Sequence, residues 1–332
     1  MNINDLKNKI LNNNDLTQKE SLFLFSKIMN GDLNDIELSA LLIGLRMKGE
    51  TKDEIIGAVK IMRNKSLKIY SPDGTVDTCG TGGDMSNTLN ISTSASIVAA
   101  SAGAIIAKHG NRSVSSRSGS ADMLEKLGYK ISSNIEELEK SLKDKNFCFL
   151  FAQNHHSAMK HVINVRKTLA TRTIFNLLGP LTNPANAKNQ LLGVFEKKWL
   201  SIHCEALKEL GSERVMIVHG IDGLDEITLT NNTLVAELKN NQIYEYVFNP
   251  TEFGYEYIKI EDIKGGDPEY NAKCFIKMIE GNYPAFQKII EINAGAALYL
   301  SNNVENLKEG FDLAKKVIVE GKTKKYLGEL IN

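Results

Sequence analysis

Gly80, Gly82 and Gly83, in the stretch Asp77-Thr78-Cys79-Gly80-Thr81-Gly82-Gly83-Asp84, are the first residues from which chemistry can be read. Residues without side chains let the backbone approach a ligand, and Asn90, Ser92, Thr93 and Ser94 then open an Ala/Ser-rich helix. Free N–H groups and the dipole at a helix start favour phosphate, but the dipole contributes only about 0.3–1 kcal/mol. Further charges must therefore come from elsewhere in the chain. Lys108-His109-Gly110-Asn111-Arg112 and the glycine/serine loop Ser115-Ser116-Arg117-Ser118-Gly119-Ser120 are the candidates. Lys108 alone reads equally as a solvated lysine or a phosphate ligand. Two glycine loops at matched strand ends favour the ligand. His109 reads as a hydrogen-bonded spacer or a catalyst, and the sequence leaves that choice open.

The elements that position these residues follow from periodicity. From Leu6 to about Ile69 the chain is helical, with capping signatures at Thr17/Glu20, Asn34/Glu37 and Thr51/Glu54. Apolar stripes follow the caps: Leu22, Phe23, Phe25, Ile28 and Met29; then Ile36, Leu41, Leu42 and Leu45; then Ile55, Ile56, Val59 and Met62. So small a bundle leaves apolar area for a second subunit, which predicts a homodimer through the N-terminal helices. From Gly74 short strands alternate with helices, the pattern of an α/β domain with a mainly parallel sheet. Val76 to Cys79, Ala104 to Ala107, Gln190 to Phe195 and Arg214 to His219 read as strands, and Thr233 to Phe248 as a hairpin turning at Asn240-Asn241. The stretch Asn154 to Lys167 reads as one helix capped by Ser157, its inward stripe of Met159, Val162, Ile163, Leu169 and Ala170 also holding Arg166. A guanidinium on an apolar face needs an anion, from the protein or from a ligand.

The 332 residues are 42% hydrophobic and 24% charged, and 40 Lys and Arg offset 40 Asp and Glu. That balance excludes a global field for nucleic acid or an anionic membrane, so anion binding must be local. Cys79, Cys148, Cys204 and Cys274 form no CxxC pair, and the histidines form no H-E-x-x-H pattern. Neither disulfides nor a zinc site is expected, and with no signal peptide or membrane span read the expected location is cytoplasmic.

Gly80-Thr81-Gly82-Gly83-Asp84, Asn90-Ile91-Ser92-Thr93, Lys108-His109-Gly110-Asn111-Arg112 and Ser118-Gly119-Ser120-Ala121-Asp122 together resemble the motifs of the anthranilate phosphoribosyltransferase family. Asn176-Leu177-Leu178-Gly179-Pro180-Leu181-Thr182-Asn183-Pro184 matches as well, and the resemblance runs essentially end to end. It implies a small helical domain of residues 1–70 joined by helices around 157–186, and a large α/β domain of residues 71–156 and 187–332. It implies transfer of the phosphoribosyl group of 5-phosphoribosyl 1-diphosphate (PRPP) to the amine of anthranilate. PRPP would be held by Gly80, Gly83, Asp84, Thr88, Asn90, Ser92, Thr93, Lys108, Gly110, Asn111, Ser116 and Ser120. Anthranilate would lie against Gly80, His109, Asn111, His156 and Pro180, with Arg166 on its carboxylate. The resemblance also gives the adjacent carboxylates Asp225 and Glu226, with Ser92, as ligands of Mg²⁺, two ions per subunit. A pyrimidine nucleoside phosphorylase, which shares the Lys108-His109-Gly110 type of loop, and a non-catalytic nucleic-acid binder are the alternatives. Zero net charge argues against the latter.

Overall fold

The structure, a computed structural model, describes residues 1–84, 86–113 and 117–332. Helices α1 (Ile3–Leu11), α2 (Gln18–Asn30), α3 (Asp35–Lys48) and α4 (Lys52–Lys65) form the N-terminal bundle. The last three start in reciprocal caps. Thr17, Asn34 and Thr51 accept from the N–H groups of Glu20, Glu37 and Glu54, whose carboxylates accept from the cap N–H in return. Gly57 lets α4 close on α2, since a Cβ there would stand 2.6 Å from Ser21 Cβ.

Two apolar stripes differ from expectation. Ile36 is 83% exposed. Leu38, Leu41, Leu42 and Leu45 define the buried face of α3, and Ile36 lies about 200° around the helix from Leu38. On α2, Leu24 takes the fully buried place, while Leu22 and Phe23 are only half-buried.

The α/β part is built on a 7-stranded sheet of order β3-β2-β1-β4-β5-β6-β7. Its strands are β1 (Val76–Gly80), β2 (Ile106–Gly110), β3 (Phe147–Phe151), β4 (Asn189–Gly193), β5 (Arg214–Gly220), β6 (Thr233–Lys239) and β7 (Gln242–Phe248). β3 through β5 in that order run parallel, and β6 and β7 are antiparallel. Asn240 and Asn241 turn the β6–β7 hairpin with φ of 52° and 59°. Helix α5 (Ile91–Ser101) packs with the buried helix Pro284–Leu300 in the apolar cluster on one side of the sheet. The opposite cluster joins Leu192, Val194 and Ile217 to the bundle residues Leu24, Phe25 and Ile55, with Val162, Val165 and Phe175 between them.

Two further expectations are corrected. β2 begins at Ile106 and extends to Gly110, so Lys108 and His109 are strand residues and not loop residues. The reason lies in tertiary pairing: Lys108 and His109 are in register with Phe149 and Leu150 of β3, and the His109 N–H donates to Asp77 Oδ1 at 3.0 Å. The stretch Asn154 to Lys167 is not one helix. It divides into Ala152–His155, a 3₁₀ turn Ser157–His161 and a helix Ile163–Leu169, and Ser157 makes no side-chain cap. Leu67 and His155 draw the chain aside: Leu67 N–H donates to His155 O at 2.9 Å, and His155 Nδ1 lies 2.7 Å from Leu67 O. Val162 and Val165 are consequently buried, and Ile163 is 46% exposed. Among the described residues no helix is long and apolar enough to cross a membrane.

Candidate active site

A cleft of about 200 Å³ opens at the C-terminal ends of β1 and β2, where α/β sheets place ligands. Gly80, Asn90, Ser92, Thr93, Lys108, His109, Gly110, Asn111, Ser120, Asp225 and Glu226 line it. Local structure explains the convergence. β1 and β4 end in Gly80 and Gly193, paired across the ladder, and the Asp225 loop crosses directly over both. A Cβ at Gly193 would lie 1.5 Å from Asp225 O, and one at Gly80 2.5 Å from Asp225 Oδ2. Only glycine admits that crossing. Asp225 Oδ2 in turn accepts from the Gly82 N–H at 2.8 Å, and Glu226 Oε1 from the Ser92 N–H at 3.0 Å.

Lys108 is 1% exposed and donates through Nζ to Thr78 O at 2.5 Å and Ser92 Oγ at 3.3 Å. Burial pulls its pKa down, while Asp77, Cys79, Glu226 and Asp225 oppose that shift. Asp225 and Glu226 keep a little exposure to the cleft. Desolvation, and then the neighbouring Asp84, nevertheless push Asp225 up to about 7. Glu226 is raised by desolvation and then by Asp225, with Lys108 opposing. Asp84, Asp225 and Glu226 are therefore acids crowded beside one buried cation, and a divalent ion would relieve their repulsion. Among the described residues no three His, Cys, Asp or Glu side chains are grouped closely enough to hold a metal unaided.

Asn90 precedes α5 without capping it through its side chain. Instead its Nδ2 donates to Ser118 O at 3.2 Å, and its Oδ1 accepts from Asn271 Nδ2 at 2.8 Å, joining both loops of the cleft. Ser120 Oγ donates to Asn111 O at 3.3 Å. Gly83, Asp84 and Thr88 stand outside the cleft wall: Asp84 is beside Asp225, and Thr88 pairs with Lys264. Ser116 lies outside the described residues.

His156, Arg166 and Pro180 are not among the residues that line the cleft. The His156 ring is 5.2 Å from that of His109, and Nε2 of each is buried with no hydrogen-bond partner among the described residues. Burial holds both imidazoles neutral, with the pKa of His156 lowered to about 4. Pro180 is buried, and its carbonyl accepts from Gln190 Nε2 at 2.7 Å. The Arg166 guanidinium lies 5.6 Å over the Phe175 ring. Burial lowers its pKa, and among the described residues no carboxylate acts on it.

Two residues of this region escaped sequence reasoning. Asp77, fully buried, accepts from His109 N–H and, at 3.2 Å, from Gln190 Nε2, so it sets the end of β2 beneath the cleft. A carboxylate inside the apolar strand Val76–Cys79 was the available signal. Arg172, which donates to Gly83 O from 89 residues away, carried no local signal.

Residues 4–66 match the glycosyl transferase family helical bundle domain, and residues 72–324 match the glycosyl transferase family a/b domain. The chain is 46% identical over 324 residues to the anthranilate phosphoribosyltransferase of Alkaliphilus metalliredigens, covering 97% of this chain and 96% of that one. The crystal structure of anthranilate phosphoribosyltransferase from Thermus thermophilus superimposes with a TM-score of 0.92 at 37% identity, covering 98% of both chains. The Saccharomyces cerevisiae enzyme in complex with PRPP and Mg gives 0.83 at 30% identity, over 95% of this chain and 91% of that one.

Proposed function

This chain belongs to the anthranilate phosphoribosyltransferase family, and from that membership we propose a division of labour for its site. The reaction is transfer of the 5-phosphoribosyl group of PRPP to the amine of anthranilate, giving N-(5-phosphoribosyl)anthranilate and pyrophosphate, a Mg²⁺-dependent step of tryptophan biosynthesis. The nucleoside phosphorylase and nucleic-acid readings are not favoured.

In this reading Gly80, Gly83, Asp84, Thr88, Asn90, Ser92, Thr93, Lys108, Gly110, Asn111 and Ser120 hold PRPP, with Ser116, outside the described residues, in the same set. The carrying observation is Lys108, buried at the cleft floor between Thr78 O and Ser92 Oγ with Asp225 and Glu226 facing it. Such an arrangement suits a diphosphate that arrives with a divalent ion. Ser92, Asp225 and Glu226 would hold two Mg²⁺, which supply positive charge to the departing pyrophosphate. The neutral His109 and His156 rings and Pro180 wall the acceptor, and Arg166 takes its carboxylate. Pyrophosphate is already a good leaving group, so the protein's work is alignment of the amine with the anomeric carbon and stabilisation of developing negative charge. No side chain is assigned as nucleophile.

The same reading keeps the division into residues 1–70 with 157–186 and residues 71–156 with 187–332. Support comes from Val162, Ile174 and Phe175, which share an apolar cluster with α2 and α4. It includes a homodimer through the bundle, where Ile36 and Met47 on one face of α3 are each 83% exposed, beside Leu11 at 61%. Four free, buried cysteines suit a reducing cytoplasm. Mixing the protein with anthranilate, PRPP and Mg²⁺ should extinguish anthranilate fluorescence; persistent fluorescence with no pyrophosphate released refutes the assignment.

A further inference from the structure

We propose that Arg172 is a positioning residue for the diphosphate loop and couples it to the helical bundle, an inference that rests on the reading above. Gly82 and Gly83 adopt φ of 66° and 78°, a conformation that a free glycine pair holds only loosely. Two clamps fix it. On one side the Gly82 N–H donates to Asp225 Oδ2 at 2.8 Å. On the other, Arg172 Nη2 donates to the Gly83 carbonyl.

The guanidinium is aimed by its surroundings. It lies 4.0 Å over the Phe195 ring, and its Nη1 is 3.5 Å from Glu196 Oε1. The platform is itself tied to the loop, because the Phe195 N–H donates to Thr81 Oγ1 at 3.1 Å. A planar fork can stack and donate at once, which an ammonium cannot do. The backbone of Arg172 is held from the other side: Arg46 Nη1 of α3 donates to Arg172 O at 2.8 Å and also to Thr171 Oγ1. One continuous hydrogen-bonded path therefore runs from the bundle to the Gly82-Gly83 loop. Sequence separations of 126 and 89 residues along it show that only the fold assembles the path.

Steady-state kinetics on wild type, Arg172→Ala, Arg46→Ala and the double variant tests this. Arg172→Ala is expected to raise KM for PRPP about tenfold, the effect of losing one charge-assisted hydrogen bond. KM for anthranilate and the melting temperature should stay near wild type. Arg46→Ala should raise the PRPP KM by about threefold alone and add nothing in the Arg172→Ala background, as two residues on one path require. Arg172→Lys keeps the charge and the stem but not the fork, and should also raise that KM. A wild-type PRPP KM in Arg172→Lys or Arg172→Ala, or additive effects of the two alanines, overturns the proposal. A wild-type protein that consumes no anthranilate overturns the functional reading instead.

Discussion

Replacing Arg166 with alanine separates a ligand-binding cation from a structural one, because the two roles move affinity and stability in different ways. The guanidinium is largely buried, its pKa is lowered by desolvation, and it lies 5.6 Å over the face of Phe175. In the substrate-free protein a desolvated cation without a carboxylate costs energy, whereas a bound anthranilate carboxylate would repay it through a bidentate, charge-assisted pair. Such bonds contribute about 1.5–3 kcal/mol, so Arg166→Ala is expected to raise KM for anthranilate roughly 10- to 100-fold, with KM for PRPP little changed. Losing the contact with Phe175 costs about 0.5–1 kcal/mol, which relief of desolvation offsets. The melting temperature should accordingly shift by less than about 3 °C. The assay is loss of anthranilate fluorescence at saturating PRPP and Mg²⁺, beside a thermal melt of the ligand-free protein. Equal rises in both KM values, or a melting temperature lowered by many degrees with anthranilate KM intact, would show that Arg166 serves the fold.

Asp225→Asn with Glu226→Gln should abolish turnover at ordinary Mg²⁺ while raising the melting temperature, since it removes crowded acids whose repulsion the ligand-free protein must tolerate. Near-normal pyrophosphate release would refute the metal assignment. Gly193→Ala should destabilise the protein by about 1–3 kcal/mol and weaken its response to Mg²⁺ titration, because the new Cβ would stand 1.5 Å from Asp225 O and must displace the acidic loop. Unchanged melting and Mg²⁺ dependence would count against that account. Ile36→Lys with Met47→Lys, at positions 83% exposed on α3, should turn a dimer into a monomer in light scattering without altering the melt of the α/β part. A wild-type protein that is already monomeric at micromolar concentration removes the dimer.

Much of the fold was legible because it depends on neighbours in the chain. Each capping box needs only a Thr or Asn and a Glu three residues on, and Asn240-Asn241 fixes its hairpin locally. The unbroken helix expected from Asn154 to Lys167 failed where a distant stretch of chain intervened. Leu67 and His155 exchange hydrogen bonds, and no periodicity within residues 154–167 encodes Leu67. β2 outran its apolar core for the same kind of reason: Asp77 and β3 supply partners for Lys108 and His109, so polar residues continue the strand.

The amino-acid sequence by itself determined the glycine loops, the lysine, the acidic pair and the arginine, along with the family they resemble, because these rest on residue types at short spacing. Tertiary structure decided how they meet. It set Gly82 against Asp225 across 143 residues and Ser92 against Glu226 across 134. It left Arg166 half-buried with no carboxylate among the described residues acting on it, and hung Gly83 on Arg172. Desolvation and pairing are properties of three-dimensional surroundings, so the charge states of these residues exist only once the chain has folded around them.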